Sequence, residues 1–283
     1  MFGGFFNRMY YGNPNKPDLK KEDMKEGPIK LFFIVLQVRF WKLIQLNLLY
    51  SIFWIPAFAV TYMNLMAVSQ SPEVLQSSGN IQSFLFTMLL MLVPCMLIAG
   101  PATAGTSYVI RNWARDEHAW LWSDFKDAWK QNWKESLLIM LINGIALLVF
   151  YVNITFYTVQ AQQNLLFTVL RYLIMVIGII YAMMNMFIFP MLVTYKLKVR
   201  EIFKNAIIFT MAELPRAFVI FLLAFLLFGV VFYYSIPFIL PFFIIGLTFP
   251  MFITISFANW VFEKYLNKRL REENEEIETN EAP

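Results

Sequence analysis

Residues 217–262 read AFVIFLLAFLLFGVVFYYSIPFILPFFIIGLTFPMFITISFANWVF, without one charged side chain. As a single helix these 46 residues would be about 69 Å long, more than twice the roughly 30 Å hydrocarbon thickness of a bilayer. The stretch must fold back. The turn is predicted at Tyr234-Ser235-Ile236-Pro237 to Pro241, where two prolines remove helix donors and disfavour helical geometry before them. The same reasoning applies to the other uncharged stretches, 43–72, 74–110, 136–170 and 172–195. Turns are predicted near Ser69 to Asn80 and near Gln160 to Asn164, where Ser, Gln, Pro, Gly and Asn gather. An all-α polytopic membrane protein follows, with six spans in three hairpins, roughly 43–66, 81–110, 136–158, 165–195, 215–235 and 238–262. These lie in a membrane domain over 29–270, between an arm (1–28) and a tail (271–283).

Composition points the same way. Hydrophobic residues make up 59% of the 283-residue chain and charged ones 15%, against about 45–50% and about 25% in soluble domains. That excess excludes a soluble globular enzyme. One cysteine (Cys95) and one histidine (His118) exclude an intramolecular disulfide and a Cys/His zinc cluster, so no metal or cofactor is expected. The phosphate-loop, serine-hydrolase and zinc-protease motifs are missing, and the spans hold no Asp, Glu, Lys or His well inside the membrane. Proton coupling and enzymatic activity are therefore disfavoured, and no nucleic-acid partner is expected.

Of the 23 Lys and Arg, all but Arg171 fall in the N-terminal arm and first leading segment, in 111–134, in 196–216 or from Lys264 onward. Every second connection is thus basic, which predicts both termini inside and outer loops near 67–80, 155–165 and 234–240. The arm mixes Lys16, Lys20, Lys21 and Lys25 with Asp18, Glu22, Asp23 and Glu26, which does not resemble a cleavable leader, and span 1 is expected to stay as an anchor. The tail REENEEIETNEAP (271–283) is acidic and poor in large apolar groups, and reads as disordered.

Each hairpin opens with an amphipathic segment (29–42, 123–135, 198–213) and closes with a proline-bearing span: Gly100-Pro101-Ala102-Thr103, Phe189-Pro190-Met191-Leu192 and Phe249-Pro250-Met251-Phe252. Gly100, Pro101 and Gly105, with Pro190 and Pro250, are candidate packing hinges, since small residues admit close helix approach and proline loosens the ladder. In the second opening segment Phe125, Trp129 and Trp133 recur every four residues beside Lys126, Lys130 and Lys134. This is an interfacial elbow whose lysines suit anionic headgroups and whose rings suit either membrane anchoring or a partner protein. Inside the spans Asn47, Asn143, Asn185 and Asn259 are candidates for helix-to-helix hydrogen bonds or for lining a path. Arg171 is a candidate for snorkelling outward, for clamping carbonyls or for contacting an anion.

Two stretches carry a family likeness: Phe40-Trp41-Lys42-Leu43-Ile44-Gln45-Leu46-Asn47-Leu48-Leu49-Tyr50, and Gly100-Pro101-Ala102-Thr103-Ala104-Gly105 continuing through Val109, Arg111, Trp113, Arg115 and Glu117 to Asp124-Phe125. Together, over about 40–137, they resemble the YesL-like family of bacterial membrane proteins of unknown function. The resemblance implies a plasma-membrane accessory of carbohydrate uptake and breakdown, with sugar-transporter permease subunits as partners, and implies no reaction. It also singles out Arg111, Trp113, Arg115 and Glu117, which with Phe125, Trp129 and Trp133 form the candidate partner surface; the same residues would equally serve positive-inside retention and anchoring. The rival expectation is a channel or carrier in which Arg171 selects an anionic solute.

Overall fold

The computed structural model describes residues 28–71, 77–162, 164–235 and 242–267. Residues 1–27 of the arm, the acidic tail and residues 236–241 of the turn predicted from Tyr234 to Pro241 lie outside these residues, while Tyr234 and Ser235 are helical. Every regular element described is helical. In chain order they are α1 (Pro28–Gln70), α2 (Ser78–Ala114), α3 (Ser123–Gln131), α4 (Trp133–Gln160), α5 (Leu165–Leu192), α6 (Val199–Ala212), α7 (Leu214–Ser235) and α8 (Thr248–Phe262), with π-helical turns at Phe242–Gly246 and Glu263–Asn267. Six helices are long and apolar enough to cross a membrane, counting the last as Phe243–Leu266. The chain is a multi-pass membrane protein by helix length and hydropathy.

Helix starts follow local chemistry. The Ser77 hydroxyl accepts from the Asn80 amide at 3.2 Å to cap α2, and the Asn164 side chain accepts from the Leu166 amide at 2.9 Å to cap α5. Pro56 in α1, Pro94 and Pro101 in α2 and Pro190 in α5 do not end their helices, as neighbouring helices and hydroxyls tolerate in a membrane. The lipid-facing surface is apolar at positions such as Leu90, Ile98, Val169 and Leu226, each at least half exposed.

Helices α1 and α2, α4 and α5, and α7 and α8 pack as hairpins, while α2 and α8 run through the middle. One buried cluster gathers Ile139, Met183, Phe187, Phe209, Ala258 and Phe262 between α4, α5, α6 and α8. A second gathers Leu46, Tyr50, Val109, Trp113, Phe125 and Phe252 between α1, α2, α3 and α8.

Three expectations are corrected. The segment 29–42 is no separate elbow: it is continuous with its span in the 43-residue α1, about 64 Å long. Trp133 starts α4 and does not belong to the amphipathic helix, which stops at Gln131. Pro250 lies inside the last span, but not within an unbroken helix as Pro101 and Pro190 do. The last span is interrupted, and Pro250 sits in the first turn of α8, where an amide would have no partner within the helix.

Candidate functional site at the basic end

The site is built outward from α2. Its stretch from Gly100 to Gly105 is buried against neighbours on several sides. A Cβ at Gly105 would lie 2.7 Å from the carbonyl oxygen of Phe125 and 2.8 Å from its ring. The elbow helix α3 therefore rests directly on the α2 backbone. At Gly100 a Cβ would meet the Ser136 carbonyl oxygen and Met140 Cγ at 3.0 Å each, where α4 crosses.

Beyond Ala114 the chain turns sharply. The Asp116 amide donates to the Trp113 carbonyl at 2.9 Å and the Glu117 amide to the Asn112 carbonyl at 2.8 Å, with Asp116 in the left-handed region at φ 56°. This is a Schellman closure, in which the left-handed position is more often glycine. It swings the chain so that Trp113, fully buried, donates from its indole Nε1 to the Ala119 carbonyl at 3.3 Å. Asp124 closes the next turn by accepting from the Trp120 amide at 2.8 Å.

These contacts divide the expected partner surface. Trp113 and Phe125 are 0% and 1% exposed, so both hold the elbow to the bundle and neither faces outward. Trp129 is half-buried against Phe53, with ring centroids 6.1 Å apart. Arg115 and Glu117 form a loose exposed pair at 3.9 Å, the kind that contributes little. Trp120, Trp122 and Trp133 are the exposed rings, at 68%, 60% and 48%, beside exposed Lys126, Lys130 and Lys134.

Arg111 points inward. Its guanidinium lies 4.6 Å from the centre of the Tyr108 ring, donates to the Val193 carbonyl at 2.8 Å and reaches Asn112 Oδ1 at 2.5 Å. Asn259 in turn donates to the Arg111 carbonyl at 3.2 Å. The ends of α2, α5 and α8 are thereby tied together at one end of the bundle. There a cavity of about 740 Å³ opens between the α3–α4 junction and the connection after α5. Lys134 and Glu135 line one side, and Lys196 and Lys198 the other.

Asn143, Asn185 and Asn47 join helices. Asn143 donates to Asn185 Oδ1 at 2.8 Å and accepts from the Tyr181 hydroxyl at 2.7 Å, linking α4 to α5. Asn47 is fully buried; its Oδ1 accepts from the amides of Leu247 and Thr248 at 2.9 and 2.8 Å, and its Nδ2 donates to the Phe243 carbonyl at 2.7 Å. A side chain of α1 thus satisfies the backbone exposed by the break in the last span. Arg171, on the opposite half of α5, lies 4.8 Å over the exposed ring of Tyr172. Pro101 and Pro190 are buried within continuous helices.

Two groups had little signal in the sequence. Glu213, 3% exposed between α6 and α7, bonds Arg216 at 2.5 Å, the Tyr265 hydroxyl at 2.8 Å and the Lys264 ammonium. Burial pushes its carboxyl up, but those three bonds outweigh burial and hold it at about 2. Lys196 and Lys198 stand out only once the fold brings them opposite Lys134, more than 60 residues earlier. In the sequence the former shows only as one of two carboxylates, with Glu201, in the basic connection 196–216, and the latter only as part of that connection.

Residues 79–154, which contain α2, the elbow and most of α4, match the family described as protein of unknown function, DUF624. The match covers 76 of the 283 residues. No curated protein and no solved structure matches the chain. Among the described residues, the matched segment holds Gly100, Gly105 and Gly144, where a Cβ would crowd a neighbouring element, at Gly144 2.9 Å from Val93 Cγ1.

Proposed function

We propose that this protein is a non-enzymatic accessory of carbohydrate uptake in a bacterial plasma membrane, with both termini cytoplasmic, and that its elbow docks permease subunits of a sugar transporter. The observation behind the docking face is the exposure of Trp120 and Trp122 just before the elbow helix and of Trp133 at the start of α4, beside an elbow whose Phe125 is turned into the bundle. Rigid rings presented on a pinned support lose little conformational freedom on binding, and aromatic anchors dominate interface energetics. Lys126, Lys130 and Lys134 would hold the same elbow to anionic headgroups at about 1 kcal/mol each. The sugar-uptake role rests on the YesL-like resemblance, and the basic connections support the orientation. A binding role also fits Asn47, Asn143, Asn185 and Asn259, all four engaged in hydrogen bonds between helices.

The test is affinity purification of the tagged chain from native membranes in mild detergent, after growth with and without complex polysaccharide. Transporter permease subunits should be recovered with the native chain and lost with Trp122→Ala combined with Trp133→Ala. Recovery of the protein alone would sink the accessory role. The second reading, a channel or carrier, draws on the interrupted last span, since broken helices line sites in transporters; flux into liposomes that falls with Arg171→Ala would favour it.

A further inference from the structure

We propose that the cavity between the α3–α4 junction and the α5–α6 connection binds the headgroup of an anionic phospholipid. This inference is independent of partner docking by the elbow rings. Four charged residues line the cavity, Lys134, Lys196 and Lys198 against Glu135, so its lining is cationic. All three lysines are exposed. The nearby Glu201 carboxylate accepts from the Lys198 amide at 2.9 Å and offsets part of this charge, but three lysines against Glu135 and Glu201 still leave the site net positive. Two helices, α4 and α6, also begin at the cavity, and helix N-termini favour negative charge.

A lipid is favoured over free phosphate by what adjoins the charges. Leu138 and Leu192, with Val193, Leu197 and Val199, form the apolar part of the wall. From Leu138 an exposed apolar track continues along one face of α4 through Leu141 and Ile145, at 46%, 39% and 51% exposure and at helical spacing. A phosphodiester at the lysines would place its acyl chains on this track. A free phosphate would leave the track unused, and a zwitterionic headgroup would bring its own cation to the lysines.

The full chain in detergent would be incubated with phosphatidylglycerol or phosphatidylcholine, and bound lipid counted by native mass spectrometry. Phosphatidylglycerol should be retained in preference to phosphatidylcholine. Removing two basic groups near an anionic headgroup, by Lys196→Ala with Lys198→Ala, should weaken retention roughly thirtyfold, while Lys30→Ala with Lys204→Ala, neither of which lines the cavity, should change it by less than about twofold. The substituted side chains are exposed, and unchanged helicity and monodispersity would show that both variants fold. An equal loss in the two variants, or equal retention of the two lipids, would overturn the site. Displacement of the lipid by inorganic phosphate at matched concentration would overturn the lipid assignment in favour of a free anion.

Discussion

A methyl group at residue 105 would stand 2.7 Å from the Phe125 carbonyl oxygen, and neither the α2 backbone nor the α3 backbone is the flexible end of a side chain. Replacing glycine by alanine inside a helix normally stabilises it by about 1 kcal/mol. Here the clash outweighs that gain, since overpacking a close contact costs about 1–3 kcal/mol. Gly105→Ala is therefore expected to lower the thermal midpoint in detergent and to increase quenching of the elbow tryptophans by a soluble quencher. Gly79→Ala, where a Cβ meets nothing within 4 Å, is the control and should not lower the midpoint, with quenching unchanged. The glycine is legible in the sequence as a small residue, but the neighbour that demands it is twenty residues away.

At the scale of elements, the last span is divided into a π-helical turn and α8, and the division is held by Asn47. Broken backbone in a bilayer is tolerated only where its polar groups are satisfied within the protein. Asn47→Leu would leave the amides of Leu247 and Thr248 and the carbonyl of Phe243 without that partner, at a cost of about 1–3 kcal/mol per buried group left unsatisfied. Amide exchange at residues 247–251 should accelerate in this variant and stay unchanged in Asn153→Leu, whose side chain bonds only the Val149 carbonyl of its own helix. Unaltered exchange at 247–251 in Asn47→Leu would show that the break is held by other contacts.

Across the whole molecule, Glu213 fastens the α6–α7 corner to the end of the last span through Lys264 and Tyr265. Arg216 and Lys264 also flank the Trp260 ring, each 5.3 Å from its centre. Because the folded carboxyl titrates at about 2 and an ordinary one at 4.5, the clamp contributes fully above pH 4.5 and is lost as pH falls from 4.5 toward 2. The thermal midpoint should fall over that window in the native chain. Glu213→Gln should show a lower midpoint at neutral pH and a flatter dependence below pH 4.5; a parallel curve for the variant would assign the acid sensitivity to other carboxylates.

The sequence by itself determined the architecture. An uncharged run of 46 residues cannot be one helix or sit in water, and basic connections alternate with uncharged ones, so six helices in hairpins follow from length and hydropathy alone. Periodicity likewise exposed the amphipathic elbow, because the 3.6-residue repeat is local. Only the tertiary structure decided which side chains face inward. Trp113 and Phe125 share the polar, aromatic context of Trp120 and Trp122, yet Gly105 and the left-handed Asp116 turn rotate the first pair into the core and leave the second pair outside. Asn47 capping a helix 200 residues away, and Lys134 facing Lys196 and Lys198 across a cavity, are contacts between distant segments. No local pattern records them, since they arise from helix crossings set by packing and not from the order of residues along any one helix.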